Sequence, residues 1–167
     1  MSTNIFKYTL RFVLFVLLQG LILNNINLFG YIHIYLYIIF LITLPVNISR
    51  ELVLFIGFLL GISIDIFCNT FGIHAFATVF AAFARFYLLK FFAPRDEHEN
   101  MVPSIESFGL GSFFKYSCLM IVIHHSVLLL VDYFSVVNIG IILLQILFSS
   151  AFTFLFLMTI ERFKIKR

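Results

Sequence analysis

Charged residues divide the chain into long apolar blocks. Between Arg11 and Arg50 there is no Asp, Glu, Lys or Arg. Between Glu51 and Arg85 the one charge is Asp65, and between Lys115 and Glu161 it is Asp132. A helix rises about 1.5 Å per residue, so roughly 20 residues cross a hydrocarbon core of about 30 Å. Each block is therefore long enough for two crossings joined by a tight turn, with turns near residues 28–30, 69–72 and 132–138. The pattern predicts an all-α integral membrane protein of six transmembrane helices in three hairpins. The spans fall at about 10–29, 31–48, 52–69, 72–91, 113–132 and 137–160, in a single domain over residues 1–167.

One stretch breaks the pattern. Residues 93–112 read APRDEHENMVPSIESFGLGS, with Pro94, Pro103, Gly109 and Gly111 among charged side chains. It is expected to be a cytoplasmic loop between the fourth and fifth spans, either a partner contact or a solvated connector. The run Asp96, Glu97, His98, Glu99 reads as a solvated membrane edge rather than a metal site.

Composition agrees with the blocks. Hydrophobic residues make up 62% and charged residues 11%, with a mean hydropathy of +1.11. Soluble domains carry roughly 25% charged residues, so a water-soluble fold of this length is excluded. The 24 Phe are expected to coat the lipid-facing surface. A net charge of +3 would suggest nucleic acid in a soluble chain, but here position decides. All 11 basic residues, from Lys7 to Arg167, fall on one side of the six-span layout. By the positive-inside rule, that side is the cytoplasm, and both termini lie there. The first apolar run, from Phe12 to Leu28, ends in Asn24, Asn25, Ile26 and Asn27 with no small-x-small cleavage signal, so it is expected to be a retained span. Cys68 and Cys118 belong to no metal or redox spacing and are expected to be buried thiols.

Polar groups inside apolar spans are costly in lipid and so direct the search for function. Gly57, Gly61 and Asp65 are spaced four apart and share a helix face. Glycines at that spacing allow close approach of another helix, and Ala77, Ala81 and Ala84 offer a small-residue face on the next span. Asp65 is open to three readings: a helix cap, a partner contact, or an ion or proton site. His124 and His125 lie mid-span, and His125 shares a face with Asp132 at the outer boundary. The residues Gln19, Asn24, His33, His74, Gln145 and Ser149 place more polar groups in the outer half. An outward-open polar pocket lined by Asn24, Asp65, His74 and His125, with Asp132 at its rim, is one expectation. Hydrogen bonds between helices are the other. No HExxH, GxSxG or phosphate-binding loop is present, so the chain is not expected to be an enzyme or to need a cofactor.

The stretch LPVNISRELVLFIGFLLGISIDIFCNTFGIHAFATVFAAFARFYL resembles the rod shape-determining protein MreD family. The matching elements are Leu44–Pro45 closing the second span, the GFxxGxxxD run of Gly57, Phe58, Gly61 and Asp65, and Gly72 seven residues on. They cover about a quarter of the chain; length, six-span layout and basic C-terminus also agree. The region before the second span reads GYIHIYLY and lacks the proline common in that family. The resemblance implies a multi-pass protein of the bacterial cytoplasmic membrane that serves the cell-elongation machinery. It would bind MreC, a single-pass protein, and through it the MreB filament and peptidoglycan synthesis enzymes. Pro45, Gly57, Gly61, Asp65 and Gly72 would shape or form the contact. The family's fold is similar to the vitamin-binding membrane subunits of energy-coupling-factor transporters. A solute-binding subunit is therefore the alternative.

Overall fold

The computed structural model describes residues 2–28, 32–94, 101–133 and 139–165. Among these, five helical stretches are long and apolar enough to cross a membrane: Ile5–Asn25, Arg50–Cys68, Ile73–Phe92, Ile105–Tyr133 and Ile139–Lys164. Their outer faces carry unsheltered apolar side chains such as Phe55, Phe76, Phe80, Leu143 and Leu147. Such a surface suits lipid, not water, and the chain is a multi-pass membrane protein.

Helix α1 (Ser2–Leu17) continues through a π turn at Leu18–Ile22 and a 3-10 turn at Leu23–Asn25. Strands β1 (Asn27–Leu28) and β2 (Ile32–His33) then pair antiparallel, with Leu28 opposite Ile32. Gly30, placed in the first expected turn, lies outside the described residues.

The expected second span, 31–48, differs from the prediction. Among its described residues, 32–48, only five are helical, α2 (Ile38–Ile42), flanked by irregular backbone. Every residue of 34–45 is buried. The reason lies in its composition. The run IYLYIIFLITLP is apolar all round, with no polar stripe to face outward, and it is rich in β-branched and aromatic residues that favour extended backbone. Charge spacing detects an apolar stretch of this length but not whether it is one helix. We call residues 34–45 the core segment, because α1, α3 (Arg50–Cys68), α4 (Ile73–Phe92), α5 (Ile105–Tyr133) and α6 (Ile139–Ile165) surround it.

Helices α3 and α4 form the closest pair. Ser49 caps α3 by accepting the Leu52 N–H at 3.4 Å, and the helix stops where Asn69 turns left-handed (φ 54°). Gly72 (φ 85°) then sets the entry to α4, a conformation a side chain would strain.

The stretch 93–112 is less loop-like than expected. Ser104 and Ser107 exchange backbone and side-chain hydrogen bonds that start a helical turn at Ile105, with Pro103 and Phe108 buried. Gly109 (φ 74°, ψ 156°) kinks the chain, and α5 continues to Tyr133. The Asp96–Glu99 run lies outside the described residues.

Candidate functional site: a polar clasp around the core segment

Irregular backbone at membrane depth is tolerated only when protein or a cavity satisfies its N–H and C=O groups. Here surrounding groups, most of them side chains, bond to the segment and to His33 and Val46 at its two ends. The Ser149 hydroxyl on α6 accepts the His33 N–H at 3.2 Å. Gln19 then uses both ends of its amide, donating to Ile34 O at 3.0 Å and accepting from Leu36 N at 2.9 Å. The π turn carries Gln19, and Gly20 beside it lets the Phe67 ring of α3 come close. Farther along, the Tyr116 hydroxyl donates to Ile42 O at 3.1 Å. Arg11 donates to the Thr43 hydroxyl at 2.8 Å. The buried Arg85 guanidinium donates to Leu44 O at 2.6 Å and Pro45 O at 3.2 Å. Last, Val46 N donates to Met101 O at 2.8 Å.

At the centre sits Tyr37, fully buried. Its hydroxyl lies 2.9 Å from His74 Nδ1 and 2.8 Å from His124 Nε2. For a neutral ring, a neighbouring bond fixes the proton position of His125. His125 Nδ1 faces the Ile121 carbonyl at 2.9 Å, which can only accept, so that nitrogen carries hydrogen. Its Nε2 then accepts from the Thr153 hydroxyl at 3.2 Å. His124 Nδ1 lies 3.5 Å from His125 Nδ1. The Tyr37 hydroxyl has one hydrogen, so it donates to one of His74 and His124 and accepts from the other. Tyr35 packs against the same three imidazoles, with ring centroids 5.2–6.3 Å away. The two tyrosines fill the space between the histidines.

Asp65 caps a helix. Its carboxylate accepts the backbone N–H of His74 at 3.0 Å and of Ala75 at 2.9 Å, together with the Thr70 hydroxyl. These are free donors of the first turn of α4, where a negative charge also opposes the helix dipole favourably. The cap fixes the register of the hairpin. With His74 and Ala75 held against α3, the contacts to Gly57 come from Thr78 and Ala82, and Gly61 faces the Ala75 backbone. The expected small face of Ala77, Ala81 and Ala84 is thus rotated away from the glycines. Ala77 and Ala81 are buried in the core instead.

The expected pocket residues separate. Asp65, His74 and His125 are buried and engaged in the bonds above. Asn24 is exposed and joins none of them, and Asp132 is exposed near the end of α5. His125 turns toward Thr153 on α6, not along its own helix toward Asp132. Pro45 lies under Arg85, and Gly72 opens α4. Sequence reading undervalued Tyr37, Arg85 and Tyr116. Arg85 precedes FYLLK about two turns before the end of α4, and by sequence it resembles an ordinary interfacial cation. No family model, no curated protein and no solved structure matches this chain.

Proposed function

We propose that the chain is a membrane scaffold of the bacterial cell-elongation machinery. It would bind an MreC-type single-pass protein and help couple MreB filaments to peptidoglycan synthesis, as a resident of the cytoplasmic membrane. Both termini are cytoplasmic in this reading, and residues 31–48, which hold the core segment, make the second of six crossings. Its support is the resemblance across residues 44–88 and the gathering of basic residues at one end of the helices.

The observation that carries a scaffold over a solute-binding subunit is the filled centre. Asp65, His74, His124 and His125 have their hydrogen bonds made inside the chain, and Tyr35 and Tyr37 occupy the space a vitamin-like ligand would need. Buried polar groups already paired with one another confer rigidity rather than affinity for a solute. The Gly57–Gly61 face is covered by α4, so it shapes the hairpin and leaves partner contact to outer surfaces. One such surface is an apolar groove of about 450 Å³ between α1 and α3, floored by Phe40 and Leu44 of the core segment.

Crosslinking in cells at native expression, with captured proteins identified by mass spectrometry, tests the reading. Capture of an MreC-type protein is the expected result. Capture of an ATPase with a coupling protein, or a vitamin retained in native mass spectra, would replace it with the transporter alternative.

A further inference from the structure

The basic end of the bundle carries a feature that the scaffold reading does not use. Where α5 begins and α6 ends, a groove of about 390 Å³ opens between them, lined by Leu110, Gly111, Phe114, Lys115, Met158 and Arg162. Residues 110, 111, 114 and 115 make one stripe of α5, and 158 and 162 make one stripe of α6. The groove has an apolar floor and two cations on opposite walls. Lys115 and Arg162 are both exposed. Glu161, the acid next to Arg162, is buried and paired with Lys164, so it leaves the Arg162 charge available.

A second depression of about 360 Å³ shares Met158 and Arg162 with the first and runs on along Leu155, Thr159 and Phe163. Arg162 therefore stands where two apolar channels meet. At Gly111 an added Cβ would touch nothing within 4 Å, so the groove is open there. Phe114 of the groove lining packs edge to face on Phe154 at 4.8 Å and joins the two helices.

We propose that this groove binds one anionic phospholipid, with its phosphate between Lys115 and Arg162 and its two acyl chains in the channels on either side of Met158. Basic recesses between transmembrane helices recognise such headgroups by charge, while the channels recognise the chains by burial. A free anion would use the cations but not the channels. A neutral zwitterionic lipid would use the channels and gain less from the cations. The site is independent of the partner proposed above.

The test uses the full chain released from nanodiscs into native mass spectra, with phosphatidylglycerol or phosphatidylcholine as the probe. One retained phosphatidylglycerol per chain is expected, and much less phosphatidylcholine. Lys115→Gln with Arg162→Gln should weaken retention about 30-fold, from roughly fivefold per basic residue at a membrane surface. Gly111→Leu, which keeps both charges and fills the groove, should also displace the lipid. Lys7→Gln with Lys90→Gln removes the same charge elsewhere and should leave retention unchanged. Equal loss in that control pair, equal retention of the two lipids, or displacement by millimolar inorganic phosphate would each overturn the proposal. All the substituted positions are exposed, and thermal unfolding of each variant checks that the fold is retained.

Discussion

Arg85 and Leu44 are 41 positions apart, yet the guanidinium of one donates to the carbonyl of the other at 2.6 Å in a fully enclosed setting. The same group reaches Pro45 O, and no acid pairs with it among the described residues. The cation is held by carbonyl dipoles just where the core segment leaves its short helix. Arg85→Met should destabilise the protein by about 2–3 kcal/mol by leaving buried carbonyls unpaired. Arg85→Lys should recover part of this, since an ammonium reaches one carbonyl without the planar fork. Unfolding in bicelles measures both. Thiol labelling of Val46→Cys, in a background lacking Cys68 and Cys118, should speed up in the Met variant.

Gly61 should tolerate no side chain. A Cβ there would lie 2.6 Å from both Ala75 N and His74 O, which are backbone atoms that cannot swing aside. Gly61→Ala should cost about 1–3 kcal/mol through overpacking. Gly57→Ala should cost less, because its nearest obstacle is the Ala82 methyl at 3.2 Å. Thermal melts of the two variants should separate in that order.

Asp65 offers a way to distinguish structure from partner contact. Asp65→Leu strips three donors of their acceptor and should cost about 2–3 kcal/mol, whereas Asp65→Asn keeps an acceptor for the α4 backbone and should cost less. If the residue acts only as a cap, partner capture should follow stability across the pair. Loss of capture in a stable Asp65→Asn protein would instead make the charge part of the interface.

Tyr37→Phe removes one oxygen and leaves His74 and His124 without their shared partner. A cost of about 1–2 kcal/mol is expected, near the upper end for polar contacts between membrane helices. His124→Gln combined with Tyr37→Phe should cost less than the sum of the two single changes, since they break the same bond. A double-mutant cycle reads this directly.

Orientation is testable at two exposed positions. In the cysteine-free background, Phe71→Cys should react with a membrane-impermeant thiol reagent added outside intact cells. Lys115→Cys should react only after permeabilisation. The reverse pattern would place the termini outside.

Much of this architecture can be read from charge spacing alone, because lipid imposes a length and a polarity on each crossing. The helices around Gly57, Ala77, Met120 and Leu147 follow directly from that constraint. The Gly57–Gly61–Asp65 spacing also indicated a tight hairpin. The short α2 was hidden because an apolar run carries the same hydropathy whether helical or broken. The role of Gln19 was hidden for a related reason. A glutamine in a span signals a hydrogen bond but not its partner, and Ile34 and Leu36 carry no polar side chain to suggest one. Histidine spacing suggested a pocket. Two tyrosines from the core segment occupy that space, and long-range placement of this kind has no local pattern.

The dependence of residues 34–45 on their surroundings has a consequence for biogenesis. Gln19 and Arg11 leave the ribosome before the segment does, but Arg85, Tyr116, His124 and Ser149 follow long after it. When it first reaches the translocon, Tyr116 and Arg85, which take up the carbonyls of Ile42, Leu44 and Pro45, have not been synthesised. Partition into lipid at that moment would expose unpaired amides, each costing several kcal/mol. Its final placement must therefore wait for the C-terminal helices. Chains truncated after α4 should retain α3 and α4 in the bilayer while residues 34–45 stay within reach of proteases, and synthesis through α6 should close that window.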